Sequence, residues 1–176
     1  MEIINAKKDL EILQYPHPYL ETKSEPINFI SRDIILLSQN MVNTMELNDG
    51  IGLSANQVGA LIRMFVMKVI SDDKDAPQYL IALNPAILEK SDEIDSLEGC
   101  LSFDFLEEVV PVKRSGRILL SYCDLNANYN VVELTGINAI CAQHEIDHLD
   151  GITFVDKTTE TKKKEIIQQA VTTLTE

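Results

Sequence analysis

The sequence predicts an α+β domain with mainly antiparallel strands, on three observations. An amphipathic helical segment comes first, a group of short β-rich segments follows, and a second helical segment comes after them. Helices and strands are therefore segregated along the chain, which is typical of α+β folds. With 176 residues, 45% of them hydrophobic and 24% charged, the chain is most simply one domain over residues 1–176. That length buries a core without disulfide bonds.

The first helix is predicted in "SRDIILLSQNMVNTMELNDG", after the proline-rich loop "YPHPYL". Ser31 is a typical N-cap residue, and Gly50 is a typical stop. The apolar residues between them recur at helical spacing, which predicts one buried face. Methionines on that face are interpreted as core residues rather than ligands.

The strands are predicted as two pairs. "LIRMFVMKVI" and "YLIALNPAIL" are short and β-rich, and "DDKDAP" between them is interpreted as a turn. "GRILLSYCDL" and "NVVELTG" form a second predicted hairpin across "NANY".

Helical spacing resumes in "INAICAQHEIDHL", with one face formed by Ile137, Ile140, Cys141, His144 and His148. A short last helix is predicted in "TKKKEIIQQAVTTLTE", within a C-terminal helical tail over residues 160–176.

Charge and composition exclude several classes of protein. The formal net charge of −13 argues against broad binding to DNA or to an anionic membrane surface. No apolar run approaches the roughly 20 residues of a membrane-crossing helix. The N-terminal segment lacks the apolar core of a secretory signal, so a cytoplasmic location is expected. Three cysteines are an odd count, which argues against a disulfide framework.

The stretch "CAQHEIDHLDG" contains two of the three histidines of the chain. His144 and His148 are four positions apart, so on a helix they project from one face. Two imidazoles at this spacing can share one metal ion, and Glu145 between them can reach a water bound to it. The alternative interpretation is a surface helix with a few polar residues.

A metal site of this kind needs a third ligand. Cys100 in "LEGCLSF" is the preferred candidate, because a thiolate, two imidazoles and one open position form a known catalytic arrangement, and Gly99 permits close backbone approach. Cys123 has the alternation of a strand interior and is interpreted as a buried thiol. Cys141 lies one turn before His144 and is interpreted as a pocket wall.

A second motif is "DGIGLSANQVG". It lacks the lysine of a phosphate-binding loop and does not match the dinucleotide fingerprint. Alone it is a glycine-rich turn after a helix. Such a segment also brings bare backbone beside a peptide-like substrate and presents the Gln57 amide as a hydrogen-bond donor.

Together "GIGLSANQ", "EGCLS" and "QHEIDH" resemble, in order and separation, the three signature motifs of the peptide deformylases. That family removes the N-formyl group from the initiator methionine of new polypeptides. The resemblance extends to "LQYPHPYL" and "HLDGITFVD" and so covers roughly residues 10–158.

The resemblance implies a role for each matching residue. Cys100, His144 and His148 would be the metal ligands, and Glu145 the general acid and base. Gln57 and the backbone N–H of Leu101 would stabilise the oxyanion. One divalent ion is implied, most often Fe²⁺ in cells, with Zn²⁺, Ni²⁺ or Co²⁺ in preparations. The implied fold has the HExxH helix at its centre, surrounded by mainly antiparallel β-sheets.

The resemblance also implies the substrate contacts. The partner would be an N-formyl-methionyl nascent peptide, bound by an apolar methionine pocket and by backbone pairing along "GIGL". The residues implied in these contacts are Gly50, Ile51, Gly52, Glu98, Gly99, Ile140 and Cys141, with His144 nearby.

The chain departs from the family in two places. Position 54 is commonly alanine in the family and is Ser54 here. Where many members carry proline two residues beyond the motif serine, this chain has Asp104, followed by Glu107 and Glu108. The ligands are untouched, but an acidic rim would disfavour acidic peptides.

Two other classes of protein share parts of this pattern. A zincin-like metallopeptidase would need a third ligand downstream of His148, where no histidine follows and Glu160 and Glu165 lie in a polar tail. A zinc-stabilised binding module would need a fourth protein ligand, which only Cys123 or Cys141 could supply.

A last expectation concerns Lys162, Lys163 and Lys164, at the start of the final helix, where the helix dipole disfavours cations. A solvated face is the preferred interpretation of this cluster. Some family members dock on the ribosome through their C-terminal segment, which makes the ribosome a candidate partner.

Overall fold

An antiparallel sheet and a helix packed against it form the body of the protein. The computed structural model describes residues 8–71 and 78–175. The sheet has the order β1-β2-β3-β4-β5, and each pair of neighbours is antiparallel. The elements are α1 (Arg32–Leu47), β1 (Gly52–Ser54), β2 (Met64–Val69), β3 (Gln78–Glu98), β4 (Val110–Cys123), β5 (Tyr129–Thr135), α2 (Gly136–Leu149) and α3 (Glu160–Thr175). The predicted α+β class with antiparallel pairing is confirmed.

Helix α1 begins as the sequence predicts and ends earlier. The Ser31 side chain accepts a hydrogen bond from the Ile34 N–H, so it caps the helix. The helix ends at Leu47, where the Asn48 side chain donates to a carbonyl of the last turn, rather than running to Gly50. Met41 and Met45 are fully buried, as predicted for core residues. They pack against strands β1 to β3.

Strands β3 and β4 form a ribbon much longer than predicted, because β3 spans 21 residues and β4 spans 14. The sequence prediction stopped near residue 88, since the stretch "EKSDEIDS" lacks apolar alternation. In this part of the ribbon, charged side chains pair across the two strands: Lys113 lies within ion-pair distance of Glu93 and Asp95 on the facing strand. Such cross-strand charge pairs stabilise a solvent-exposed ribbon. The predicted turn at 72–77 lies outside the described residues.

Helix α2 packs on the sheet through its small and aliphatic residues. Ala139, Ala142, Ile146 and Leu149 are buried against residues of β2 to β5. The face that carries His144 and His148 is a different one, and it looks toward the end of β3. The helix therefore uses one side for stability and leaves the other for chemistry.

Helix α3 is anchored beside the segment that follows β3. Ile166 is fully buried in a cluster with Phe103, Val110, Phe154 and Val155. The predicted C-terminal helix is confirmed, and it covers one side of the 99–109 loop. Among residues 8–71 and 78–175, none of the helices has the length and apolar character that crossing a bilayer requires.

Asn84 fastens the segment before α1 to strand β3. It has a left-handed backbone, with φ of 49°, and its side chain both accepts from the Ile27 N–H and donates to the Ile27 carbonyl, each at 2.8 Å. We predict that Asn84→Ala lowers the free energy of unfolding by about 2 kcal/mol, because it adds backbone strain and removes both hydrogen bonds. Asn84→Gly removes only the hydrogen bonds and should cost about half as much. Urea unfolding of both variants checks this, and equal losses would contradict it.

Candidate active site

Three side chains with metal-binding atoms converge between α2 and the end of β3. The Nε2 atoms of His144 and His148 lie 3.2 Å apart, and the Cys100 Sγ lies 3.2 Å from the His148 Nε2. The binding atoms of all three residues lie within 4.8 Å of one another. The two histidines are one helical turn apart on α2, and Cys100 follows two residues after β3 ends.

The three atoms have the spacing of ligands around one ion. Two imidazole nitrogens at tetrahedral positions on a metal are separated by about 3.3 Å. Burial lowers the pKa of His148 well below its usual value, with His144 adding to the effect, so this imidazole is neutral and its lone pair is free to bind. One thiolate and two imidazoles leave a fourth position open, as in catalytic sites.

The other two cysteines lie away from this group. Cys123 packs at the far side of the sheet, near Leu83 and Leu125. The Cys141 Sγ points to the Ile51 carbonyl at 3.5 Å, and burial raises the pKa of its thiol well above the usual value, so it is a neutral wall residue. All three cysteines are free thiols. Of the candidates left open by the sequence, Cys100 is the one that joins the histidines.

A buried ion-pair network orients His144. Its Nδ1 lies 2.9 Å from a carboxylate oxygen of Glu98, whose two oxygens are bound at 2.7 and 2.9 Å by Arg114. Arg114 also donates to Asp147 on α2, which in turn pairs with Lys157 at 3.0 Å. Burial alone would raise the pKa of Glu98, but hydrogen bonds from Arg114 and His144 lower it to about 2. The carboxylate is therefore charged and directs the other ring nitrogen of His144 toward Cys100.

Sequence reasoning missed Arg114 and Asp147. A signal for Arg114 was present, because Val110 and Val112 face inward on β4, and Arg114 continues the same alternation. A charged residue on the inward face of a strand needs a buried partner. The identity of that partner, sixteen residues away on β3, depends on the strand register.

Glu145 lies on α2 beside strand β1. It is buried, and its Oε2 has no hydrogen-bond partner among the described residues. Burial raises its pKa to about 7, although the charges of His144 and Arg114 act in the opposite direction. A carboxyl group with a pKa near neutrality both accepts and donates a proton at ordinary pH.

Gly52 permits this close approach of β1 to α2. A Cβ atom at position 52 would lie 2.4 Å from the Glu145 Oε1 and 2.6 Å from the Cys141 Sγ. Any side chain there would displace Glu145 or the strand. Position 52 therefore requires glycine for a steric reason that the sequence alone did not reveal.

Gln57 is held with its amide nitrogen facing Cys100. Its Oε1 accepts hydrogen bonds from the Ser54 N–H at 2.9 Å and from the Ser54 hydroxyl at 2.8 Å. Its Nε2 then donates to the Ser102 hydroxyl at 3.1 Å and lies 3.5 Å from the Cys100 Sγ. Leu101 follows Cys100 directly, and the Gln14 side chain holds its carbonyl. This part of the loop therefore has a defined position next to the three metal-binding atoms.

A cavity of about 360 Å³ opens beside these groups. Its deep end is formed by Cys141, His144 and Glu145, and its mouth by more exposed residues of β1, β3 and α2. Every residue that the sequence implicated in substrate binding lines it: Gly50, Ile51, Gly52, Glu98, Gly99, Ile140 and Cys141. Gln57, Cys100 and Leu101 also line it, whereas His148 is not among its lining residues.

We predict that Arg114→Met destabilises the protein by about 3–5 kcal/mol, because it leaves the buried Glu98 carboxylate without its cation. Lys113→Met is the matched control: Lys113 is the next residue on the same strand, is mostly exposed, and pairs only at the surface. It should change stability by less than about 1 kcal/mol. Urea unfolding of both variants without added metal measures the difference. Similar losses of unfolding free energy in the two variants would mean that the buried network stabilises the protein no more than the surface pairs do.

Comparison with known proteins gives one consistent family. The sequence profile described as "Polypeptide deformylase" matches residues 9–164. The peptide deformylase of Thermodesulfovibrio yellowstonii is 42% identical over 156 residues, covering 88% of this chain and 92% of the relative. That of Buchnera aphidicola is 37% identical and covers 92% and 94%.

Solved structures show the same likeness. The crystal structure of peptide deformylase from Ehrlichia chaffeensis superposes with a TM-score of 0.84 at 31% identity, over 94% of this chain and 97% of that one. A Plasmodium falciparum peptide deformylase in complex with an inhibitor superposes with a TM-score of 0.80 at 32% identity, over 94% and 100%.

Proposed function

The chain belongs to the polypeptide deformylase family and removes the N-formyl group from newly made polypeptides; on that premise we propose that Cys100, His144 and His148 hold the metal ion for this reaction. The observation that carries the proposal is the convergence of these three side chains beside Glu145 and an apolar cavity. The reaction consumes one water and releases formate and a free amino terminus.

The ion that we propose is Fe²⁺, with Zn²⁺, Ni²⁺ or Co²⁺ as substitutes in preparations. A thiolate with two imidazoles suits first-row transition metals of this group and does not suit Mg²⁺ or Ca²⁺. When bound there, such an ion would lower the pKa of a coordinated water and polarise the formyl carbonyl. The neutral His148 and the Glu98-oriented His144 fit that role.

Glu145 is proposed to move the proton. With a pKa of about 7 its carboxylate takes a proton from the attacking water and then delivers it to the nitrogen of the breaking amide bond. Its position on α2, between the two histidines, brings it near the metal ligands without making it one. The buried Oε2 has no protein partner among the described residues, which leaves it available to water or substrate.

Gln57 and the Leu101 N–H are proposed to stabilise the oxyanion. As water attacks, negative charge develops on the former carbonyl oxygen, and a fixed donor aimed at it stabilises the transition state. The two hydrogen bonds from Ser54 to the Gln57 oxygen keep the amide nitrogen on the reacting side. Without them the amide could turn its oxygen toward the substrate.

The methionine side chain is proposed to fill the cavity, with Cys141 at its deep end and Ile140 along its wall. Strand β1 is an edge of the sheet. The peptide backbone could therefore add beside the Gly50–Gly52 segment, and hydrogen bonds to backbone alone tolerate many sequences. This suits an enzyme that acts on many different nascent chains.

The two alternative classes fit the site less well. A zincin-like metallopeptidase takes its third ligand downstream of the helix, whereas the third donor here, Cys100, lies upstream. A closed structural zinc site needs four protein ligands, and neither Cys123 nor Cys141 joins the group among the described residues.

Two further proposals concern partners and compartment. Ribosome docking through α3 stays a prediction, and two of the three lysines are already paired, Lys162 with Glu108 and Glu165, and Lys163 with Asp156. The cytoplasm is the compartment we propose, because free thiols such as Cys100 stay reduced there.

We predict that Glu145→Gln keeps the metal and loses turnover. Gln preserves the size and helix propensity of Glu but cannot accept a proton, so kcat should fall at least 10²-fold, the order of magnitude of general acid–base assistance. Cys100→Ala should instead lower metal content itself, because it removes a ligand. Metal stoichiometry and formate release from a formyl-methionyl peptide, measured side by side, separate the two outcomes.

A Glu145→Gln protein that holds its metal and turns over within about tenfold of the parent would contradict the proton-transfer role. Cys100→Ala with full metal content would contradict the ligand assignment.

We predict that Cys141→Phe raises KM for formyl-methionyl peptides. The larger ring would occupy the deep end of the cavity, where the Cys141 thiol now lies. A formyl-alanyl peptide needs less depth and should be less affected. Steady-state kinetics with both substrates check this, and equal losses would mean that the methionine side chain binds elsewhere.

A further inference from the structure

The segment around Gln14 lies beside both of the groups proposed to stabilise the oxyanion. The Leu13 N–H donates to the Gln57 carbonyl at 2.8 Å, and the Tyr15 N–H donates to the Ser102 carbonyl at 2.8 Å. The backbone of Gln14 is therefore held on both sides. Its side chain starts from a position that is fixed relative to Gln57 and to the loop after Cys100.

A tight turn sets the direction of the Leu101 N–H. The Phe103 N–H donates to the Cys100 carbonyl at 3.0 Å, which closes a β-turn with Leu101 and Ser102 at its centre. The Cys100 carbonyl and the Leu101 N–H belong to one planar peptide group, so they point in opposite directions. The hydrogen bond that closes the turn therefore also aims the Leu101 N–H.

The Gln14 amide holds the centre of this turn. Its Nε2 donates to the Leu101 carbonyl at 2.9 Å, and its Oε1 accepts from the Asp104 N–H at 3.1 Å. The Leu101 carbonyl belongs to the central peptide group, which is the group that reverses when a turn changes between types I and II. The hydrogen bond from Asp104 fixes the amide with its nitrogen toward Leu101. Gln14 therefore opposes reversal of the central peptide.

The same peptide group leads to the second oxyanion donor. It joins Leu101 to Ser102, whose hydroxyl accepts from the Gln57 Nε2 at 3.1 Å. Gln14 lines a separate cavity of about 400 Å³ and is not among the residues of the substrate cavity, whereas Leu101 lines both. Gln14 is thus placed to act through the turn rather than by touching the substrate.

We propose that Gln14 is a positioning residue for deformylation, which aims the Leu101 N–H and, through Ser102, the Gln57 amide at the oxyanion. The inference rests on the proposed oxyanion role of these two donors and deepens it. A donor aimed at the oxyanion acts in the transition state and not on the bound substrate. Its misalignment therefore lowers kcat and leaves KM unchanged.

The test measures kcat, KM and metal content of the metal-loaded enzyme with formyl-Met-Ala-Ser. Gln14→Met keeps the length of the side chain and removes both hydrogen bonds. It should lower kcat about tenfold, a part of the 10²–10³-fold loss on removing an oxyanion donor outright, with KM and metal content unchanged. Gln14→Glu still accepts from the Asp104 N–H but places a carboxylate oxygen against the Leu101 carbonyl, so it should lower kcat at least as much. Glu11→Met is the matched control, because Glu11 is an exposed residue of the same segment and lines neither cavity.

The outcomes separate this inference from the proposed function. If the parent releases formate and either Gln14 variant keeps the parent kcat, even with a lower free energy of unfolding in urea, the assignment of Gln14 is overturned and deformylation stands. A loss of metal content would mean that Gln14 acts on Cys100, and a rise in KM alone would mean that it acts on substrate binding. Either result overturns the assignment, as does an equal fall in kcat in Glu11→Met. No formate release by the parent would overturn the proposed function, and this inference with it.

Discussion

The ion-pair network around Arg114 is the interaction on which the site depends. It joins Glu98 on β3 to Asp147 on α2 through a cation on β4, so the three elements that meet at the site share one buried charge cluster. Glu98 in turn holds the ring of His144. A buried ion pair is weak evidence for stability in general, since desolvation offsets much of the attraction. Here its effect is geometric, because it fixes the position of His144 on α2 relative to the end of β3.

Two buried carboxyl groups near the site have very different pKa values because their hydrogen-bond partners differ. Glu98 and Glu145 are both buried carboxyl groups, yet the pKa of Glu98 is lowered to about 2 while that of Glu145 is raised to about 7. The difference follows from Arg114, which binds both oxygens of Glu98 and only acts on Glu145 at a distance. One carboxyl group, that of Glu98, is therefore a permanent anion that orients His144. The other is free to exchange a proton.

The parts of the site that sequence could predict are those with local periodicity. The positions of His144, Glu145 and His148 follow from helical spacing, and the structure has the predicted helix. Cys100 was the preferred third donor because a thiolate with two imidazoles is a known catalytic set and Gly99 permits close backbone approach, and the fold brings it to the histidines. Arg114 and Asp147 were missed because their partners depend on strand register and helix placement. The polar half of the β3–β4 ribbon was missed because its pairs are charges such as Lys113 with Asp95, which carry no apolar alternation.

Strand alternation at the end of β3 links the group around His144 to the mouth of the cavity. Glu98 faces inward, where it reaches His144 and Arg114, while Leu97 beside it faces outward at the cavity mouth. A shift of the β3–β4 register by one residue would exchange the two faces, exposing the carboxylate and burying the leucine. The register that pairs Glu98 with Val110 therefore sets both the orientation of His144, which Glu98 contacts, and the apolar character of the cavity mouth.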